Sequence, residues 1–249
     1  RRNTPVRAAA SQFYQATYWR YYKAISDYAA RLSYLMSLGH HAAQAVVIRP
    51  GGCRDGLAPD LEQWLQAICD CLLAQHVDFD ILDEDALSRA TCTENRLVLN
   101  DESYELVIVP PAASIAYGTA SKLCAFAEEE GKVIAIAPFP GEDSRGDRHA
   151  GVREAFAVIR EVVGELFLDI SRPGDLPVAL GQALRAAIKP DISIKRGGEE
   201  CADITCTHRR VDELDLFFLA NHAEEAREVR ISVRCDRAPL LVSLDSGDI

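Results

Sequence analysis

No stretch of this chain approaches the roughly 20 consecutive apolar residues that a membrane-spanning helix needs, because charges interrupt every hydrophobic run. Glycine (15) and proline (11) are too sparse among 249 residues for a collagen-like or low-complexity chain. Basic residues are short as well, 27 against 38 acidic ones, for a formal net charge of −11. Phosphate backbones select clustered Lys and Arg, so this balance argues against a general nucleic-acid binder. The chain starts Arg1-Arg2-Asn3-Thr4-Pro5, without an initiator Met, a signal-peptide core or a small-residue cleavage site. It stops at Leu244–Ile249, just after an apolar run of strand character. Both ends are those expected of a piece of a longer polypeptide. What remains is acidic, folded material, 48% hydrophobic and 26% charged, enough for one large or two ordinary domains.

Eight cysteines, at 53, 69, 71, 92, 124, 201, 206 and 235, are spread too thinly for a disulfide scaffold. Cys69, Cys71 and Cys124 fall in helical patterns, where a small buried hydrophobe is the ordinary role. Cys201-x4-Cys206-x-His208 is the nearest approach to a metal cluster. It lacks the second well-spaced pair of a zinc site, so strand residues beside a turn are the simpler reading.

Residues 17–38 read as one amphipathic helix, with Trp19, Tyr22, Ile25, Ala29, Leu32 and Leu35 at three- and four-residue steps and Gly39 as C-cap. This stretch and its leader are basic, six cations against Asp27, while the following blocks are acidic. A positive aromatic helix on an acidic body suits docking to a neighbouring domain.

From 45 to about 190, strand and helix alternate. Ala45–Ile48 is wholly apolar, as in a parallel strand buried on both faces. Asp60 and Gln63 form a capping-box pattern ahead of a helix with Leu61, Trp64, Leu65, Ile68, Leu72 and Leu73 on one face. Phe79–Leu82 is a second strand, followed by a short helix at 84–90. Arg96–Leu99 and Tyr104–Val109 read as a hairpin joined through Asn100–Ser103, its second arm continuing into the central sheet. A helix to Glu130 capped by Gly131, the strand Val133–Ile136, and helices at 151–163 and 175–188 follow. Such alternation predicts an α/β fold, a doubly wound parallel sheet. After Pro190 the period changes to short strands at 192–194, 216–219 and 229–233, with Asn221–Glu225 a polar turn. This is the beginning of an antiparallel β-sandwich.

Ligands in such folds bind beyond the carboxyl ends of the strands. The first of these loops, Pro50-Gly51-Gly52-Cys53-Arg54-Asp55-Gly56, lacks P-loop and dinucleotide spacing and reads as a plain loop. The acidic stretch 78–105 holds Asp78, Asp80, Asp83, Glu84 and Asp85 in its first eight residues. Paired carboxylates serve acid/base chemistry or calcium, but EF-hand spacing is missing and Asp83 suits a helix N-cap. At the third strand end, where related layouts carry a nucleophile, stand Pro110-Pro111-Ala112-Ala113-Ser114. Cys124 comes about ten residues too late, and none of the histidines at 40, 41, 76, 149, 208 and 222 is spaced to activate Ser114. The Gly-containing stretch 141–149 reads as a surface loop. We therefore assign no catalytic, cofactor-binding or metal-binding residue in this chain.

Taken together, Gln15–Tyr22, Asp27–Gly39 and Ala45–Pro50 resemble the segment leaving the catalytic barrel of large bacterial glycoside hydrolases, above all the α-L-rhamnosidase-like enzymes of glycoside hydrolase family 106. Val77–Leu87 is similar to a DFD-I-DEDAL stretch of that family, Tyr104–Pro111 to a strand ending in LPP, and Leu216–Asn221 to the YFLFN strand that opens a β-sandwich. The glycine-rich loop 50–58 departs from the family pattern. The resemblance implies a (β/α)8 barrel upstream with paired acids and calcium, then an amidotransferase- or flavodoxin-like middle domain, then β-sandwiches. It implies domains at 1–39 (last helix of the barrel), 40–190 (α/β) and 191–249 (partial sandwich). It also implies a carbohydrate substrate for the parent, hydrolysis of α-L-rhamnosyl linkages, with the catalytic acids before Arg1. The alternatives are a sugar-binding or assembly module, as in β-galactosidase trimerisation domains, and a residual amidotransferase.

Overall fold

The computed structural model describes residues 14–51, 61–236 and 238–248. They fall into two compact units, residues 14–38 with 235–248, and residues 39–234. The predicted caps at Asp60 and loop residues Gly52–Gly56 lie outside the described residues. No helix among the described residues is long and apolar enough to cross a membrane.

In the first unit a 3₁₀ turn, Trp19–Tyr21, leads into α1 (Tyr22–Ser37). The Trp19 and Tyr22 rings stack with centroids 5.2 Å apart. The helix ends one residue before the predicted boundary, with Leu38 as its C-cap.

The second unit contains, in order, β1 (His40–His41), β2 (Ala45–Arg49), α2 (Leu61–Ala74), β3 (Phe79–Asp83), α3 (Glu84–Arg89), β4 (Thr91–Thr93), β5 (Arg96–Leu99), β6 (Glu102–Tyr104) and β7 (Leu106–Val109). There follow β8 (Ser114–Ile115), α4 (Tyr117–Glu128), β9 (Lys132–Ile136), β10 (Glu142–Asp143), α5 (His149–Val163), β11 (Phe167–Leu168) and α6 (Leu176–Ala187). Last come β12 (Ile192–Arg196), β13 (Glu199–Glu200), β14 (Ile204–Val211), β15 (Leu214–Asn221) and β16 (Arg230–Val233).

Five parallel strands form the centre in the order β11-β9-β7-β2-β3. Side chains alternate across each strand, so Val46, Ile48, Val107, Val109, Val133 and Ala135 join the core under α4 and α5. Ala45, Val47, Leu106, Ile108, Ile134 and Ile136 join the core under α2 and α6. In β2, β7 and β9 both faces are covered, which is why these strands read as unbroken apolar runs, whereas the edge strand β3 leaves Ile81 exposed. The α2 face differs slightly from expectation: Cys71 is buried where Leu73 is only half-buried.

The predicted hairpin is tighter than its sequence suggested. Leu99 pairs with Glu102, so the turn is Asn100-Asp101, with Asn100 at φ +54°. The arm splits at Glu105: β6 is antiparallel to β5, and β7 turns into the parallel sheet. β4 completes this small sheet through a two-residue turn in which Glu94 and Asn95 both have positive φ, the form that matches strand twist. α4 also closes differently. Glu130, at φ +68°, takes the left-handed position, and Gly131 donates to the Phe126 carbonyl at 2.9 Å in a Schellman closure. Gly131 is required by space, since a Cβ there would fall 2.3 Å from the Phe126 ring.

After α6 the chain forms two three-stranded antiparallel sheets, β1-β14-β15 and β13-β12-β16. Ile192, Ile194, Cys201, Ile204 and Cys206 make their shared core. Gly39, at φ +55°, starts the β1 edge, where an added Cβ would stand 1.8 Å from the Arg210 carbonyl oxygen.

Candidate functional site

The crossovers reverse between β2 and β7, so the crevice of this fold opens at their carboxyl ends. Glu84 lies there, 2% exposed. Asp83 precedes it in extended conformation and caps α3 by accepting from the Ala86 amide at 2.7 Å, as its position in the sequence predicts. This places the Glu84 carboxylate inward, between the loops that follow β2 and β7. Oε1 accepts from the Gly51 amide at 2.7 Å. Oε2 accepts from the Ala116 amide at 2.6 Å and the Thr119 hydroxyl at 3.1 Å. The positive N-terminal end of α4, where an anionic ligand would settle, is thus occupied by the protein's own carboxylate.

Outside Glu84 lies an open crevice of about 420 Å³, lined among others by Tyr117, Thr119, Asp143, Arg145 and Arg148. The Asp143 carboxylate accepts from the amides of Arg145 (3.1 Å), Tyr117 (3.1 Å) and Arg148 (3.3 Å). These bonds, Arg145 first, hold its pKa below the ordinary value. Arg145 pairs with Asp85 at 2.7 Å, and the Arg148 guanidinium lies 5.0 Å from the centre of the Tyr117 ring.

A second constellation lies where the edge of the parallel sheet meets the antiparallel sheets. Asp78 and Asp80 are two residues apart. Asp78 Oδ2 is 2.9 Å from His41 Nε2, and Asp80 Oδ1 is 3.1 Å from His41 Nδ1. The Asp78 and Asp80 hydrogen bonds raise the His41 pKa to about 10, against the opposing effect of burial. Asp80 Oδ2 accepts from the buried Tyr104 hydroxyl at 2.9 Å. Burial works against ionisation of Asp80, but the bonds from His41 and Tyr104 prevail and its pKa is lowered. Asp78 further accepts from the His208 amide at 2.6 Å. The His208 ring, 4% exposed, stacks on Phe217 and is held by Asp215 at 2.8 Å. Its Nδ1 is 3.3 Å from Asp191 Oδ2, an ion-pair distance without hydrogen-bond alignment. His76 makes a parallel link: Nδ1 is 3.0 Å from Glu200, and Nε2 faces the carbonyls of Cys201 and Ile204.

Comparison with known proteins decides the family. The sequence profile of glycoside hydrolase family 106, described as alpha-L-rhamnosidase, matches residues 7–249. The chain belongs to that family. A curated relative, named "Putative beta-glucuronidase", from Formosa agariphila (strain DSM 15362), is 23% identical over 241 residues. That alignment covers 94% of this chain and 19% of the relative, so the chain spans about a fifth of that protein's length.

In this rhamnosidase-family chain the residues weighed from sequence are mostly engaged in structural tasks. Ser114 sits in the two-residue strand β8, paired with β10, instead of on an exposed elbow. Burial raises the Cys124 thiol pKa, the opposite of what a nucleophile needs. Cys201 and Cys206 lie in the core between the antiparallel sheets, and burial pushes Cys206 up to about 12. Cys53 lies outside the described residues. Asp83 caps a helix, Glu84 is saturated by three donors, and Asp85 is paired with Arg145. Sequence reasoning noticed the acidic stretch but missed its partners. His41 and His208 reach Asp78 from strands 37 and 130 residues away in the chain. The signal within reach was the Asp78/Asp80 spacing, which sets both on one side of an extended segment.

Proposed function

We propose that this chain is the non-catalytic middle portion of a glycosidase of the α-L-rhamnosidase type, an α/β domain that supports a reaction carried out elsewhere in a longer polypeptide. The observation that carries the reading is Glu84. At the crevice of a doubly wound sheet, where a working domain would offer an open anion site or a nucleophile, a buried carboxylate binds the loops together. Family membership over residues 7–249 supplies the enzyme class, and the short coverage of the longer relative fits a part of a larger protein.

In this reading residues 1–39 close an upstream barrel, residues 40–190 form a flavodoxin-like, amidotransferase-derived domain, and residues 191–249 begin a β-sandwich. The partners are the barrel and sandwich of the same chain, and the parent's substrate is a carbohydrate. Within its own unit α1 buries none of its residues, and Tyr21, Ile25 and Tyr34 are each more than half exposed. An apolar, cationic helix of this kind suits packing against a barrel. Catalytic acids and calcium would belong to that barrel, where one carboxyl group gives a proton and the other activates the nucleophile.

The test is turnover by the chain alone. We expect no release of nitrophenol from 4-nitrophenyl α-L-rhamnoside or β-D-glucuronide, and full activity once the chain is joined to a family barrel. Cleavage by the isolated chain refutes the accessory role. Calorimetry against rhamnose and galacturonate separates the sugar-binding alternative, since saturable heat at millimolar sugar favours that module over a buttress.

A further inference from the structure

We propose that His41, Asp80 and Glu102 form a binding site for a divalent transition cation of the zinc class, and that the bound ion staples three sheets together.

The three residues come from different sheets: His41 from β1 beside β14, Asp80 from the β3 edge of the parallel sheet, and Glu102 from β6 of the small hairpin sheet. One ligand atom of each lies within 4.8 Å of the others. His41 Nδ1 and Asp80 Oδ1 are 3.1 Å apart. Two ligands bonded to one ion at about 2.0–2.1 Å, in tetrahedral or octahedral geometry, stand about 2.9–3.4 Å apart, so the spacing of this pair suits a shared metal, which would replace the Nδ1 proton now bonded to Asp80 and release it to solvent.

The atoms that would not ligate are tied down from behind. His41 Nε2 meets the Asp78 carboxylate at 2.9 Å, which is the carboxylate–histidine support that metal-bound imidazoles use. Asp78 is itself fixed by the amides of Phe79 (3.0 Å) and His208 (2.6 Å). Asp80 Oδ2 is held by the Tyr104 hydroxyl, so Oδ1 is the oxygen left toward His41. Glu102 adds an independent sign: its Oε2 is shielded from solvent and has no hydrogen-bond partner. An imidazolium clamped by two aspartates accounts for His41, Asp78 and Asp80 but gives no reason for a third carboxylate to turn inward. One imidazole with two carboxylates, and no thiolate, suits zinc or a neighbouring first-row ion better than calcium, which takes oxygen ligands alone.

The experiment titrates zinc chloride into the full chain after dialysis against EDTA, by calorimetry and thermal melting. We expect one equivalent bound and a melting temperature that rises with zinc, with calcium chloride giving neither. Glu102→Gln is expected to weaken zinc binding at least tenfold and to remove the zinc-dependent rise in melting temperature. Its metal-free melting temperature should stay near the wild-type value, because Glu102 is half-buried on a hairpin. Cobalt(II) distinguishes the cysteines, since the proposed site gives a spectrum without an intense sulfur-to-metal charge-transfer band. Zinc binding absent at one equivalent, unchanged affinity in Glu102→Gln, or a sulfur band in the cobalt spectrum each overturns the proposal.

Discussion

The carboxylate of Glu84 lies 2.6 Å from the amide nitrogen of Ala116, joining the residue that starts α3 to the residue that precedes α4. With the bonds to Gly51 and Thr119, this side chain satisfies donors from two loops at the crevice mouth. Replacing it with alanine leaves the buried Ala116 and Thr119 donors without an acceptor. Unsatisfied donors cost about 1–3 kcal/mol apiece where water cannot enter. Glu84→Ala is therefore expected to lose about 2–4 kcal/mol of stability, and Glu84→Gln less, because the amide oxygen retains part of the network. Urea unfolding monitored by circular dichroism measures both, and an alanine variant as stable as wild type contradicts the role given to Glu84.

Gly39 and Gly164 share φ +55° but differ in surroundings. A Cβ at Gly39 meets the Arg210 backbone at 1.8 Å, whereas at Gly164 nothing lies within 4 Å. Gly164→Ala meets no clash, but at ψ −108° the residue lies outside the left-handed basin, so the change should cost more than the about 1–2 kcal/mol of that basin. Gly39→Ala must displace the β14 backbone and should cost more still. The comparison of the two melting temperatures checks this, and equal losses would mean that the β1 edge adjusts freely.

Asp191 ties the start of β12 to His208 and Arg234. Burial opposes its ionisation, but His208 and Arg234 prevail and its pKa is lowered in the folded state. An unfolded aspartate titrates near about 3.9, so the unfolded chain binds this proton first as pH falls. The stabilisation is complete above that value and is lost as pH drops through the folded pKa. Asp191→Asn is expected to be less stable at pH 7 and to lose less further stability on acidification than wild type does. Unfolding free energies measured from pH 7 to pH 3 test the sign, and parallel curves reject it.

Cysteine reactivity should follow burial. Cys235 is exposed, while Cys71, Cys201 and Cys206 are buried, and burial raises the Cys71 pKa to about 11. Under native conditions a thiol reagent should label the Cys235 peptide well before the Cys201 and Cys206 peptides. Peptide mapping by mass spectrometry reads the order. Early labelling of Cys206 would mean that the core between the antiparallel sheets opens readily.

Three of the parallel strands were readable because they are buried on both faces, which removes polar residues from Ala45–Ile48, Leu106–Val109 and Val133–Ile136 alike. Their helices were readable because one covered face leaves apolar residues at regular steps, as in Leu176, Leu180, Leu184 and Ile188. The hairpin boundary was not. Tyr104 and Leu106 are both apolar and buried, and only the pairing partner shows that one belongs to an antiparallel sheet and the other to the parallel one. β11 escaped notice because two residues carry no period. The left-handed close of α4 falls on Glu130 where glycine was expected, since Gly131 is needed one position later to make room for Phe126.

By itself the sequence determined the α/β class, the antiparallel ending, the Asp83 cap and the family, because these rest on local periodicity, capping chemistry and ordered short motifs. The tertiary structure alone decided what the acidic stretch is for. Glu84 meets Thr119, and Asp78 and Asp80 meet His41, only after the loops and sheets assemble. A carboxylate's role depends on which donors surround it, and chain folding brings those donors from distant positions that no spacing rule connects.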